Sequence, residues 1–306
     1  MCVEDLPRCI TGKAKIRIEF HVVCAPVLNA ERKVYWHENS QRELAEIIPK
    51  LGVVIVPTGS TEIHGPHLGV GNDIVSASRV CEAVANMMYP RALVVRALWL
   101  GHAPHNMCGH LPGTITLTSE TYIRVLYEVA DSLWKHGVNR IMFINGHGGN
   151  VAPNILACQK IREEIHSLHG VDIQVGALSY WDTIPSAVWE EVLEVGNTQV
   201  DQIGHGGEAE TSILMAIAPQ MVRTEYMKKP DPRPHGFPYD MMSRSFRAWY
   251  QDEYNPDGNT DDPRLASATK GKKLLDAAVK GTVAALEEFI KYRPVEDHQY
   301  PTNERK

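Results

Sequence analysis

A glutamate and a histidine two positions apart, Glu62 and His64, sit in the segment GSTEIHGPHLGVGND, residues 59–73. On an extended segment, side chains at i and i+2 point the same way. A hard carboxylate oxygen beside a neutral imidazole suits Zn, Mn or Fe(II). Asp73 closes the segment, and Gly65, Gly69 and Gly71 permit the tight return that brings its carboxylate back. Such an aspartate can bridge two cations, or it can be the N-cap of the helical pattern that starts there. His147 lies in NGHGGN, residues 145–150, a loop suited to close backbone approach, with Asn145 and Asn150 placed to orient it. HGGEAETS, residues 205–212, adds His205, Glu208 and Glu210 beside two glycines. Each piece has an ordinary alternative. Glu62 and His64 could be a solvated loop pair, His147 a surface histidine in a glycine turn, and Glu210 an acid of a first helical turn favoured by the macrodipole. His102, His105 and His110, in GHAPHNMCGHLPGT, read as pocket-lining or structural, and residues 112–114 as a turn able to position a substrate carbonyl.

These segments need elements to hold them. Short β-branched runs at 52–57, 92–98, 141–144 and 173–180 read as strands. Between and after them, helical periodicity covers 73–88, 119–135, 153–169, 210–218 and 270–292. Alternation of this kind predicts an α/β fold with a mostly parallel sheet covered on both faces. Residues 59–73, 145–150 and SYWD (179–182) each follow a predicted strand, and in open α/β sheets ligands bind outside the carboxyl ends of the strands. Topology alone therefore gathers them on one edge.

The chain has 306 residues, 43% hydrophobic and 22% charged, enough apolar mass for a sizeable core. A net charge of -6 offers no basic stripe for a phosphate backbone, which argues against nucleic acid as a partner. Six scattered cysteines without a CxxC pair read as free thiols of a reducing compartment. No run approaches a membrane span, and the N-terminus lacks a secretory pattern, so a cytoplasmic protein is expected. Residues 1–33 read as an N-terminal extension, and 34–306 as one domain. Residues 228–264, rich in Pro, Asp, Gly, Asn and aromatics, read as a lid or subunit-contact insertion within it.

The series E-x-H-x-x-H, Asp73, NGHGGN and HGGE-x-ETS, with the PGT turn and the GKKLL start of the last helix, resembles the creatininase (creatinine amidohydrolase) family from about residue 34 to about residue 292. The resemblance implies a three-layer α/β/α sandwich, a homohexamer, and two divalent metal ions (Zn, Mn or Fe). It implies Glu62, His64, Asp73 and His147 as metal ligands, with Asp73 bridging. In creatininase a glutamate two residues after the NGH histidine also binds metal; that position is Gly149 here, and the role is assigned to Glu208, with Glu210 beside the ligands. His205 aligns with the family's catalytic histidine, a general acid toward the leaving nitrogen. Trp181 aligns with a tryptophan that closes over creatinine, whereas a second one is replaced by Asp201. The implied activity is hydrolysis of a small cyclic amide or related carbonyl compound by a metal-activated water. The alternatives are ring-opening of an inositol-derived cyclic diketone, with Asp201, His102 and His105 as polar partners, and a formamide deformylase. A metal-binding scaffold without catalysis is the non-enzyme alternative.

Overall fold

The computed structural model describes residues 32–170, 172–194, 203–230, 248, 250–254 and 256–292. In chain order its helices and strands are α1 (Gln41–Ile47), β1 (Val53–Thr58), α2 (Asn72–Met88), β2 (Ala92–Val94), α3 (Ser119–Lys135), β3 (Arg140–Asn145), α4 (Val151–His169), β4 (Gln174–Ser179), α5 (Ser186–Val192), α6 (Glu208–Ile217), α7 (Gln251–Tyr254) and α8 (Ala268–Lys291). The strands form one parallel sheet in the order β2-β1-β3-β4.

Successive strand residues point to opposite faces, and both faces are covered, so β1 and β3 are apolar along their middles, with polar residues at the strand ends. Val53 and Ile55 of β1 and Met142 and Ile144 of β3 join a core with α2, α5, α6 and α8. Val54, Val56, Ile141 and Phe143 face the other way, against α3 and α4. Each such side chain contributes about 1.5–3 kcal/mol by leaving water. The three-layer α/β/α sandwich expected from the alternation is therefore what forms.

The chain runs from β1 outward to β2 and then crosses back to β3 on the other flank of β1. The strand order reverses between β1 and β3, so their diverging connections open a crevice at the carboxyl ends. Thr58 pairs with Asn145, and Asn145 with Ser179, so three strands end level at that crevice.

Some elements differ from the sequence reading. The strand expected over 92–98 is regular only through Val94, although Val95 and Leu98 still donate backbone hydrogen bonds to Ile55 and Pro57 of β1. It is an edge strand, whose outer flank meets, among the described residues, only Val34 and Tyr35, at Val94. α1 was not anticipated; it starts in a capping box in which Ser40 and Glu43 satisfy each other's backbone N–H groups. The α6 helix begins at Glu208, two residues before the expected start. No described helix is long and apolar enough to cross a membrane.

Candidate metal centre

The loop after β1 carries Glu62 and His64, the turn after β3 carries His147, and α2 starts directly above both. Gly146 makes this approach possible: a Cβ there would lie 2.5 Å from the Asp73 carbonyl oxygen and force the helix start away. Asp73 is inside the first turn of α2, whose N-cap is Gly71, so the N-cap alternative does not hold. Its carboxylate turns into the crevice. Oδ1 lies 2.9 Å from His64 Nε2, and Oδ2 lies 3.3 Å from His147 Nδ1. Glu62 Oε1 is 2.9 Å from His147 Nδ1 and 3.6 Å from His64 Nε2.

Glu208 is where the sequence reading needs correction. Its carboxylate faces away from this cluster, accepting from Lys270 Nζ at 2.5 Å and from the backbone N–H of Glu194 at 3.2 Å. The acid of that segment that reaches the cluster is Glu210, with Oε1 3.5 Å from His64 Nε2. Helical geometry gives the reason. Residues two apart on a helix differ by about 200° and cannot face the same side. Because α6 starts at Glu208, the acid at its first position turns toward α8 and the acid at its third turns toward the crevice. Replacing Glu208 by glutamine is therefore expected to leave metal uptake unchanged and to lower stability by about 1–3 kcal/mol. That is below the cost for a fully buried pair, because Lys270 is partly exposed and keeps Glu194. Thermal melts beside metal analysis check this, and a lost metal equivalent would contradict it.

Each imidazole uses one ring nitrogen on a backbone carbonyl. His64 Nδ1 pairs with the Glu62 oxygen at 3.1 Å, His147 Nε2 with the His102 oxygen at 3.2 Å, and His205 Nε2 with the Ile63 oxygen at 2.8 Å. The carbonyl takes the proton-bearing nitrogen, so the other nitrogen of each ring presents a lone pair to the carboxylates. Lone pairs facing carboxylates repel unless a cation or proton lies between them. His64 Nε2 and Asp73 Oδ2 are buried and make no hydrogen bond of good geometry. Burial opposes protonation of both rings, yet Glu210 and Asp73 hold the His64 pKa well above the ordinary value, and Glu62 and Asp73 hold that of His147 at about 10. The Asp73 carboxyl is lowered despite its burial, chiefly by His64. A divalent cation satisfies the same atoms without these protons. The donor set of three carboxylates and two imidazoles fits Zn, Mn or Fe(II).

Three described groups of side chains could each hold an ion: His64, Asp73 and Glu210; Glu62, His64 and His205; and Glu62, His105 and His147. His205 thus stands at the cluster, its Nδ1 3.7 Å from Glu62 Oε1. Burial, and then the charge on His64, push its pKa down to about 4, so the ring is neutral near pH 7. Thr260 holds it from behind, accepting from the His205 N–H at 2.9 Å and donating its own N–H to the His205 oxygen at 2.7 Å. That part of the 228–264 insertion therefore packs on the site; residues 231–247 lie outside the described residues, as does Asp201. Asn145 and Asn150 brace the loop of His147, through its backbone and through Gly59 and His102 respectively. In the PGT turn, Thr114 accepts from the Ile63 N–H at 3.2 Å, steadying the Glu62–His64 segment. Trp181 is 9% exposed and sits in the core layer, edge-on to Tyr180 at 5.3 Å, not as an open wall. His110 is exposed on a loop near Asp252.

Three residues escaped the sequence reading. Asn106 donates to Glu62 Oε2 at 2.7 Å, and Asn72 donates to Glu210 Oε1 at 2.9 Å, so each orients a carboxylate. The signal for Asn72 was its position beside Asp73; nothing local marks Asn106. His67, the last histidine of E-x-H-x-x-H, is buried and pairs with Thr211 Oγ1 at 3.1 Å, fastening the first segment to α6. Burial lowers its pKa to about 4. A histidine depressed on folding binds more protons when unfolded, so stability falls as pH drops from about 6.5 toward 4. The loss from this one group is about 2–3 kcal/mol, and urea titrations of wild type and His67→Gln should show the slope in the first and a flatter profile in the second. Equal slopes would show that His67 does not titrate in that window.

The model of the family described as creatinine amidohydrolase (creatininase) matches residues 37–286. The chain is 29% identical over 242 residues to a creatinine amidohydrolase of Pseudomonas putida, covering 77% of this chain and 89% of that one. It is 27% identical over 259 residues to a 3-dehydro-scyllo-inosose hydrolase of Thermotoga maritima, covering 80% and 79%. A mycofactocin precursor peptide peptidase of Mycobacterium ulcerans is 29% identical over 241 residues, covering 76% and 84%. Among solved structures, a manganese creatininase superposes with a TM-score of 0.75 at 26% identity, covering 85% of this chain and 100% of that one. A creatininase mutant of Zn-Zn type gives 0.74 at 26% identity with the same coverage.

Proposed function

The chain belongs to the creatininase family of metal-dependent hydrolases, and on that premise we propose that it uses two divalent ions, Zn, Mn or Fe, to hydrolyse a small cyclic amide or related carbonyl compound. The observation that carries the reading is the buried set Glu62, His64, Asp73, His147 and Glu210, in which His64 Nε2 and Asp73 Oδ2 have no hydrogen bond of their own. His64, Asp73 and Glu210 would hold one ion and Glu62, Asp73 and His147 the other, with Asp73 shared. Bound there, the ions supply an activated water and polarise the substrate carbonyl.

The rest of the work falls to the protein. Because its pKa is about 4, His205 begins neutral, so it acts first as a base and only then as the acid toward the leaving nitrogen. Its Nδ1 takes the proton of the attacking water as the new C–O bond forms. It then delivers that proton to the nitrogen as the C–N bond breaks, so the charge on the ring is transient. Asn106 and Asn72 hold Glu62 and Glu210 against rotation. Burial of all three carboxylates keeps bulk water from them.

A cyclic diketone is the second reading. The same proton would then go to carbon as a C–C bond breaks, and the similarity to the Thermotoga hydrolase supports it. On the same premise we propose a homo-oligomer, hexameric as the family resemblance implies. Exposure of Trp99, Met107 and Ile115, at 51–55%, agrees with a covered surface. Turnover by metal-replete protein on creatinine, lactams, formamides and inositol-derived ketones, followed by NMR, tests the assignment. Hydrolysis of a cyclic amide is expected. Activity confined to the ketones moves the chain to the second reading, and metal uptake without turnover of any of these would leave only a metal-binding scaffold.

A further inference from the structure

We propose that His105 is a third protein ligand of the ion held by Glu62 and His147, an assignment that rests on the two-ion reading and extends it. His105 lies on a short turn, Pro104–Asn106, between two fixed points. Before it, the His102 N–H donates to Asn150 of the His147 loop at 2.8 Å. After it, Asn106 donates to Glu62. The residues flanking His105 are thus tied to the loops that carry the other two members of the group. Its ring lies parallel to that of His147, with 2° between planes and 5.7 Å between centroids. One ring nitrogen from each histidine and a carboxylate oxygen of Glu62 all fall within 4.8 Å of one another. Ligand atoms around a four-coordinate ion stand about 3.3 Å apart when bonds are about 2.0–2.1 Å, so a rotation of the His105 ring and a small closing of its turn complete the set.

Gly149 explains why a histidine occupies this corner. A Cβ at position 149 would lie 2.9 Å from His105 Cε1, 2.4 Å from His147 Nε2 and 2.4 Å from the His102 oxygen. No side chain at 149 can coexist with this arrangement, and the glycine itself offers no ligand atom. The space beside His147 goes to an imidazole reaching in from the turn after β2, which brings a neutral nitrogen in place of another charge. With His105 bound, one ion would have Glu62, Asp73, His105 and His147, and the other His64, Asp73 and Glu210, with a more open position on the second.

The test is metal binding, independent of turnover. Wild type, His105→Ala and His105→Asn are stripped and titrated with Co(II), by competition with a chelator and by visible ligand-field absorption. Wild type should take two equivalents. In both variants one equivalent should bind as before, and the other should weaken at least tenfold, with a changed spectrum for that equivalent alone. Circular dichroism checks the fold, and the asparagine variant decides if the alanine variant does not fold. Two equivalents with unchanged affinities and spectra in a folded variant overturn the assignment and leave His105 as a pocket residue. Failure of the wild type itself to bind cobalt would overturn the metal centre, and with it this ligand, before any variant is compared.

Discussion

Replacing Asp73 by asparagine is expected to lower turnover about a thousandfold or more while leaving the fold intact. The change keeps the side-chain volume, so α2 and its packing over Gly146 are preserved. It removes a carboxylate that sets one oxygen 2.9 Å from His64 Nε2 and the other 3.3 Å from His147 Nδ1. A neutral amide offers one oxygen, so it cannot serve two ions at once, and a thousandfold corresponds to about 4 kcal/mol of transition-state stabilisation. The metal-stripped variant should be somewhat less stable than the stripped wild type, because the carboxylate that helps hold protons on His64 and His147 is gone. Steady-state kinetics and thermal melts with and without metal read both halves. Turnover within threefold of wild type would remove Asp73 from the centre.

Stripping the metal should abolish activity and lower stability, and the loss of stability should grow as pH rises. An ion present at a thousand times its dissociation constant adds about 4 kcal/mol, which for a domain of this size is about 10 °C in Tm. The pH dependence follows from His147, held at about 10 in the stripped protein against about 6.5 when unfolded. Between those values the folded state binds more protons than the unfolded one. That stability is complete below about pH 6.5 and is lost as pH climbs toward 10, at up to about 1.4 kcal/mol per unit. His64, raised in the same direction by Glu210 and Asp73, steepens the slope. Metal-loaded protein, in which the ion replaces those protons, should show a flatter profile. Chelator-treated and metal-replete samples melted from pH 6 to pH 9 distinguish the two. Parallel profiles would mean that no cation replaces the protons on His64 and His147.

Much of this was legible in the residues. The β-branched runs and the 3.6-residue periodicity placed the sheet and its two helical layers, because burial on both faces favours apolar residues along the middle of such strands. Glu62, His64, Asp73 and His147 could be named together because their segments follow predicted strands and match one family's motifs; that Gly59 and Gly146 let α2 come down on the crevice is seen only in the fold. Glu208 and Glu210 show where the reading stopped. Both lie in one short motif, and only the register of the α6 start decides which faces the crevice; with the helix expected to begin at 210, Glu208 was free to reach in. Trp181 is assigned to the substrate through its alignment with a family tryptophan, and its edge-on packing against Tyr180 is visible only in the fold. Asn106 and Lys270 act across 44 and 62 residues of chain, on Glu62 and Glu208, and separations of that kind leave no local pattern to read.

The central claim is that two ions sit in this crevice with Asp73 between them and Glu210, not Glu208, as the acid contributed by α6. Anomalous diffraction from crystals of the metal-replete protein, collected at the absorption edge of the bound metal, tests it directly. The account predicts two peaks per chain, one among His64, Asp73 and Glu210 and one among Glu62, Asp73 and His147, with Glu208 still on Lys270. A single peak, or a peak coordinated by Glu208, would contradict it.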